Sequence, residues 1–180
     1  TAFTDDHAKQ IARLAKSAVV LLDGDAAGIR ASYGAAEKLI RAKLKTNVAA
    51  LPPGEDPDSL LSKEGADALQ AVVDQARPAA EYFIEVAFSD STMSIEDRVE
   101  AAAELAPVID AYGEGLSREL YLDQLSQKVG VSVEKLQKHV AQVLEKKKNK
   151  AKKASRRTAS KPQEPSPQGF QDAPLPPFGG

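Results

Sequence analysis

Two clusters of carboxylates carry the chemical interest of this chain. In Leu22-Asp23-Gly24-Asp25-Ala26-Ala27-Gly28, two aspartates stand two positions apart just after a short apolar run. Residues i and i+2 of extended backbone project to the same side, so both carboxylates can face one ion. Gly24 lets the backbone turn without a side chain in the way, and the small residues after it keep the next element thin. Hard oxygen donors without His or Cys among them point to Mg²⁺ or Mn²⁺. The second cluster is Gly54-Glu55-Asp56-Pro57-Asp58. If both clusters sit at the same ends of neighbouring strands, Asp23, Asp25, Asp56 and Asp58 can hold two metal ions. That arrangement clamps the attacking and leaving oxygens in phosphoryl transfer.

Each cluster also has a purely structural reading. Asp-Gly-Asp is a common turn, while Asp56 can initiate a turn and Asp58 can cap the helix after it. The run D-x-D-x-x-G opens like a calcium loop, but its fifth position is Ala27, its twelfth is Gly34, and a strand precedes it. Taken singly, either cluster favours the structural reading; taken together in this context, they favour metal.

The elements that must position these groups can be read from the pattern. Thr4-Asp5-Asp6-His7, ahead of Ile11 and Leu14, reads as a capped helix with Thr4 or Asp5 as N-cap. Ala18 to Leu22 is a continuous apolar run stopped by turn residues, as expected of a strand buried on both faces of a parallel sheet. Residues 27–45 are Ala-rich and amphipathic, and 47–51 offer a second strand closed by Pro52-Pro53-Gly54. Strand, helix, strand makes a βαβ unit, and ligands of open α/β folds lie at the carboxyl ends of such strands. Helices are then expected over 59–63, 66–75, 78–88, 94–112, 117–128 and 133–148. Ser94 to Asp97 has the form of a capping box, Pro78 suits a first helical turn, and Ser117 is the expected cap of the fifth.

Composition narrows the classes further. Cysteine is absent, which removes disulfides, thiol nucleophiles and thiolate zinc sites. His7 and His139 are far apart and have no ligand partner at helical spacing. The five residues of Ala18–Leu22 are the longest apolar run, far below the ~18 of a membrane span, so no membrane association is expected. The net charge of −2 hides an asymmetry: residues 1–145 carry 15 Lys/Arg against 24 Asp/Glu, residues 146–180 carry 9 against 2. An acidic body with a basic tail does not grip nucleic acid over its whole surface. Six prolines among residues 162–180 make the last stretch too polar and broken to fold alone.

At this point the sequence resembles the Toprim domain of bacterial replicative DNA primase. The residues that carry the likeness are Leu22 to Gly28, then Gly54-Glu55-Asp56-Pro57-Asp58-Ser59-Leu60-Leu61, with the opening Thr1 to Thr4 and the helical extension to about 145. The resemblance implies an α/β and then all-α chain. A partial Toprim domain would occupy 1–76, a helical bundle 77–148 and a disordered basic and Pro-rich tail 149–180. It implies Mg²⁺ (or Mn²⁺) on Asp23, Asp25, Asp56 and Asp58, in a cytoplasmic enzyme that makes RNA primers from ribonucleotides on single-stranded DNA. A replicative helicase is the implied partner, though no helicase-binding domain is recognisable by eye. The family's E-G-Y-x-D segment, whose Glu is the acid/base candidate, has no match here, so no catalytic residue is assigned. The expectation is an excised piece of a primase that makes no primers by itself. A Toprim nuclease or topoisomerase would share the D-x-D, and a non-enzymatic helical module would leave all four aspartates dispensable.

Two signals lie outside the carboxylates. Residues 125–136 read like a helix-turn-helix exposing Lys135, Gln137 and Lys138, although a helical hairpin closing a bundle is the favoured reading. Lys146 to Lys153 with Arg156 and Arg157 lacks interleaved aromatics, so it suits a solvated linker better than a base-stacking surface.

Overall fold

The computed structural model describes residues 3–22, 26–52 and 54–159, with backbone alone at 26, 27 and 151–159. Helix α1 (Asp5–Leu14) is capped reciprocally. The Thr4 hydroxyl accepts the His7 N–H at 3.3 Å, and His7 Nδ1 accepts the Thr4 N–H at 3.3 Å. Strands β1 (Ser17–Leu22) and β2 (Lys45–Ala50) run parallel, from Ser17 opposite Lys45 to Leu22 opposite Ala50, with α2 (Ala26–Arg41) between them. β2 starts earlier than expected because Thr46 is buried and its hydroxyl is satisfied by the Leu44 carbonyl at 3.1 Å.

Strand β3 (Arg77–Pro78) is too short to show any period in sequence. It pairs antiparallel with β2, giving a mixed sheet in the order β1-β2-β3. This order corrects the expectation for β1. Only Leu22 of that strand is fully buried and Val19 is 39% exposed, because β1 has one strand neighbour among the described residues.

Six helices follow: α3 (Pro57–Glu64), α4 (Ala66–Asp74), α5 (Ala79–Ala87), α6 (Ile95–Asp110), α7 (Leu116–Val129) and α8 (Val133–Ala159). The capping box at Ser94 forms as expected: Ser94 Oγ accepts the Asp97 N–H at 3.0 Å and Asp97 accepts the Ser94 N–H at 3.2 Å. Pro78 stands just before α5 rather than inside its first turn, and α7 opens after Gly115 rather than at Ser117. Between α7 and α8, Gly130 takes the left-handed φ of +83° that other residues adopt only with strain. α8 continues past the expected end near 148, because Lys, Arg and Ala are good helix formers and no Pro occurs before Pro162. Residues 160–180, expected to be disordered, lie outside the described residues.

Residues 1–146 form one compact unit and residues 147–180 a second. Within the first unit a single hydrophobic core joins the α/β portion to the helical one: Leu22, Ile40 and Val48 pack with Phe83, Leu105, Leu125 and Val140. A smaller cluster of Ala8, Leu39 and Leu44 seats α1. Arg41 on α2 donates to Asp110 on α6 at 3.1 Å, tying the two portions at the surface as well. The architecture is therefore Toprim-like α/β followed by a helical region, as the sequence implied. No helix among the described residues is long and apolar enough to cross a membrane.

Candidate metal centre

Parallel pairing brings the carboxyl ends of β1 and β2 to one edge. Leu22 lies opposite Ala50, and the Leu51 N–H donates to the Leu22 carbonyl at 3.0 Å, so both chains leave the sheet together. Asp23, Gly24 and Asp25 lie outside the described residues. Their anchors do not: Leu22 is 1% exposed and α2 begins at Ala26.

The second cluster is described except at Pro53. The Glu55 N–H closes a turn onto the Pro52 carbonyl at 3.0 Å, and Gly54 takes a φ of +82°. Asp56 is the N-cap of α3. One of its oxygens accepts the Ser59 N–H at 2.7 Å while Ser59 Oγ accepts the Asp56 N–H at 3.0 Å, and Pro57 occupies the first helical position. The cap is thus Asp56 and not Asp58, which is the second residue of the helix and exposed. Buried Leu60 fixes the helix to the body.

Glu55 belongs to this loop and was not singled out from sequence. One of its oxygens accepts from Lys63 Nζ at 2.7 Å and the other from the Ser59 hydroxyl. The Lys63 ammonium and then the Ser59 hydroxyl hold its carboxyl below the usual carboxylate range. A depressed carboxylate stabilises the fold above its unfolded pKa and loses that contribution as pH falls through the folded value. Replacing Glu55 by Gln is therefore expected to leave neutral stability nearly unchanged and to flatten the loss of stability below about pH 4.3. Urea denaturation at pH 3 to 7 measures this.

Because Glu55 is committed to Lys63, the carboxylate oxygens left for a cation are the second oxygen of Asp56 and both of Asp58. Asp58 has no hydrogen-bond or ion-pair partner among the described residues. Exposed hard oxygens of this kind suit Mg²⁺ or Mn²⁺. Among the described residues no three His, Asp or Glu side chains converge; the full set of four aspartates includes positions 23 and 25. The cap has a separable consequence. Asp56→Ala is expected to cost about 1 kcal/mol and Asp56→Asn almost nothing, since Asn caps as well as Asp; thermal melts distinguish the two.

A cleft of about 620 Å³ opens along the first turns of α2, between Ile29, Arg30 and Tyr33 and the residues of α5 and α6 opposite. Asp90, Asp97, Glu100 and Glu104 line it against the single cation Arg30, which pairs with Glu104 at 3.4 Å. So many carboxylates disfavour a phosphate there. Burial, and then Glu104, raise the Tyr33 phenol, which stays neutral. At residues 125–136, Leu125 and Leu136 are buried in the core and Lys135, Gln137 and Lys138 are exposed. The segment is geometrically a hairpin that closes the bundle.

Two family models match the chain. One, described as Toprim-like, covers residues 1–61; the other, described as the DnaB-helicase binding domain of primase, covers residues 80–134. The DNA primase of Pseudomonas aeruginosa is 33% identical over 141 residues, which is 76% of this chain and 21% of that protein. The chain belongs to the DNA primase family. A crystal structure of a DNA primase domain from Pseudomonas aeruginosa superposes with a TM-score of 0.62 at 32% identity, over 78% of this chain and 46% of that one. A DnaG primase catalytic domain bound to single-stranded DNA superposes with a TM-score of 0.55 at 26% identity, over 71% and 42%. The primase match at residues 80–134 corrects the sequence reading, which recognised no helicase-binding segment. The reason is physical: that segment is built of plain amphipathic helices with no motif residue to announce a partner. The chain spans about a fifth of the length of the curated primase it matches.

Proposed function

We propose that this chain supplies the metal-binding part and a helicase-contacting part of a DNA primase that synthesises RNA primers from ribonucleotides on single-stranded DNA. The observation that carries the reading is the parallel register of β1 and β2. It sets the turn that follows Leu22 and the Gly54–Asp58 turn at one sheet edge, where α/β folds bind ligands. Asp23, Asp25, Asp56 and Asp58 would hold Mg²⁺ or Mn²⁺, which neutralises charge on the transferring phosphoryl group when bound. The residues themselves have simpler tasks. Asp56 holds the N-terminus of α3 in place, Asp58 offers a free carboxylate beside it, and Glu55 with Lys63 keeps the loop closed.

The division proposed is a partial Toprim portion at 1–76, a helical portion at 77–148 and a tail from 149. The helical portion is the one that meets the replicative helicase. The chain alone makes no primers, because the Glu-bearing E-G-Y-x-D segment is not in its sequence. Template-dependent ribonucleotide incorporation tests the whole reading. The intact primase should make primers, its aspartate variants should not, and primers from the 180 residues alone would overturn the division of labour.

A further inference from the structure

A small apolar pocket of about 160 Å³ opens where α6 meets the turn between α7 and α8. Its walls are Val99 of α6, Val129 and Val131 at the turn, and Leu136 and His139 of α8, with Lys135 beside them. Three features set it apart from a packing flaw. First, Nε2 of His139 is buried and has no hydrogen-bond partner; buried polar atoms of that kind are normally satisfied. Second, aliphatic side chains stay uncovered at the pocket: Val99 is 37% exposed and Val131 38%, and Ile95, one turn before Val99 on α6, is 69% exposed. Third, Lys135 lies four residues before His139 on the same face of α8, and no acidic partner pairs with it among the described residues. Cavities of about 150 Å³ take a molecule the size of benzene, so this one fits a single aliphatic side chain.

We propose that this pocket is where the helicase docks, taking an aliphatic side chain that has an Asp or Glu within one helical turn of it. The aliphatic group fills the valine-lined space, the carboxylate accepts from His139 Nε2–H, and the Lys135 ammonium pairs with its charge. The proposal rests on the helicase reading above. The matched segment, residues 80–134, supplies Val99, Val129 and Val131, and α8 adds the polar pair. His139, to which the sequence assigned no role, becomes the group that selects an acidic partner over a merely greasy one.

The test measures the dissociation constant of the 180-residue chain for the replicative helicase of the same cell. Val131→Asp and Lys135→Glu, both at exposed positions, should each weaken binding about tenfold, with Lys135→Glu also lessening its salt dependence. His139→Leu should weaken binding while the melting temperature holds or rises, because it removes an unsatisfied buried atom; His139→Gln should retain most of the affinity. Leu120→Asp, on an exposed position of α7 away from the pocket, should change nothing. If the helicase binds but Leu120→Asp is the damaging change, the pocket is overturned and the helicase reading stands. If Val131→Asp instead breaks a self-dimer seen by gel filtration, the occupant is a second copy and the proposal fails. No binding of the helicase to the wild-type chain overturns both.

Discussion

Truncation of Phe83 to alanine is expected to cost the fold about 3–5 kcal/mol. Phe83 is 0% exposed and sits where α5, α2 and α6 converge. Its ring meets Tyr33 nearly edge-on at a centroid distance of 4.6 Å and Tyr82 at 6.2 Å. Edge-to-face pairs of this kind add to the burial itself. The remaining cavity cannot collapse easily, because its walls belong to elements tied elsewhere by Arg41 and Asp110. Against a total stability of about 5–15 kcal/mol, such a loss leaves a barely folded protein. It also removes the support beneath Tyr33 and so deforms the acidic cleft. Urea unfolding should show a much lower midpoint, whereas Leu120→Ala at a 59% exposed position should leave it in place. A Phe83→Ala cost under about 1 kcal/mol would contradict the shared core.

The second large effect concerns the aspartates. Replacing Asp56 and Asp58 together by Asn should abolish measurable Mn²⁺ binding by the chain, followed by titration calorimetry. In the intact primase it should slow primer synthesis on the order of 100-fold, as loss of a preorganised electrostatic group does. Asn is the informative replacement. It keeps the cap on the Ser59 N–H and therefore the helix, so a lost ion is separated from a lost fold. Asp23→Asn with Asp25→Asn should act in the same direction. Glu55→Gln should not, because Glu55 is already neutralised by Lys63 at 2.7 Å. Unchanged Mn²⁺ affinity in the Asp56 and Asp58 double variant would leave the cluster with only its structural role.

Where the sequence was informative, a short-range physical rule acted. Thr4 and Ser94 were legible as caps because a capping box is a local exchange of two hydrogen bonds. The βαβ unit was legible because an apolar run, an amphipathic stretch and a second run each declare themselves. β3 was not, since two residues paired only through Val48 and Asn47 carry no pattern of their own. The exposure of β1 escaped for a related reason: apolar residues alone do not say how many neighbours a strand has. At the candidate centre, residue types announced Asp56 and Asp58, but Glu55 and Lys63 meet across eight positions of chain and needed the turn at Gly54 to be seen. His139 was invisible as a candidate because its importance lies in a missing partner, which only coordinates display.

Strand β1 has a consequence for handling the protein. Among the described residues it pairs only with β2, so the alternate amide and carbonyl groups along its other edge have no strand to meet. An open edge of this kind is a template for any extended chain that arrives, including an identical one. Val19, 39% exposed, adds an adhesive side chain to it, while the charge of Lys16 stands guard at one end only. Aggregation on concentration is therefore built into the same strand whose far end presents the carboxylates.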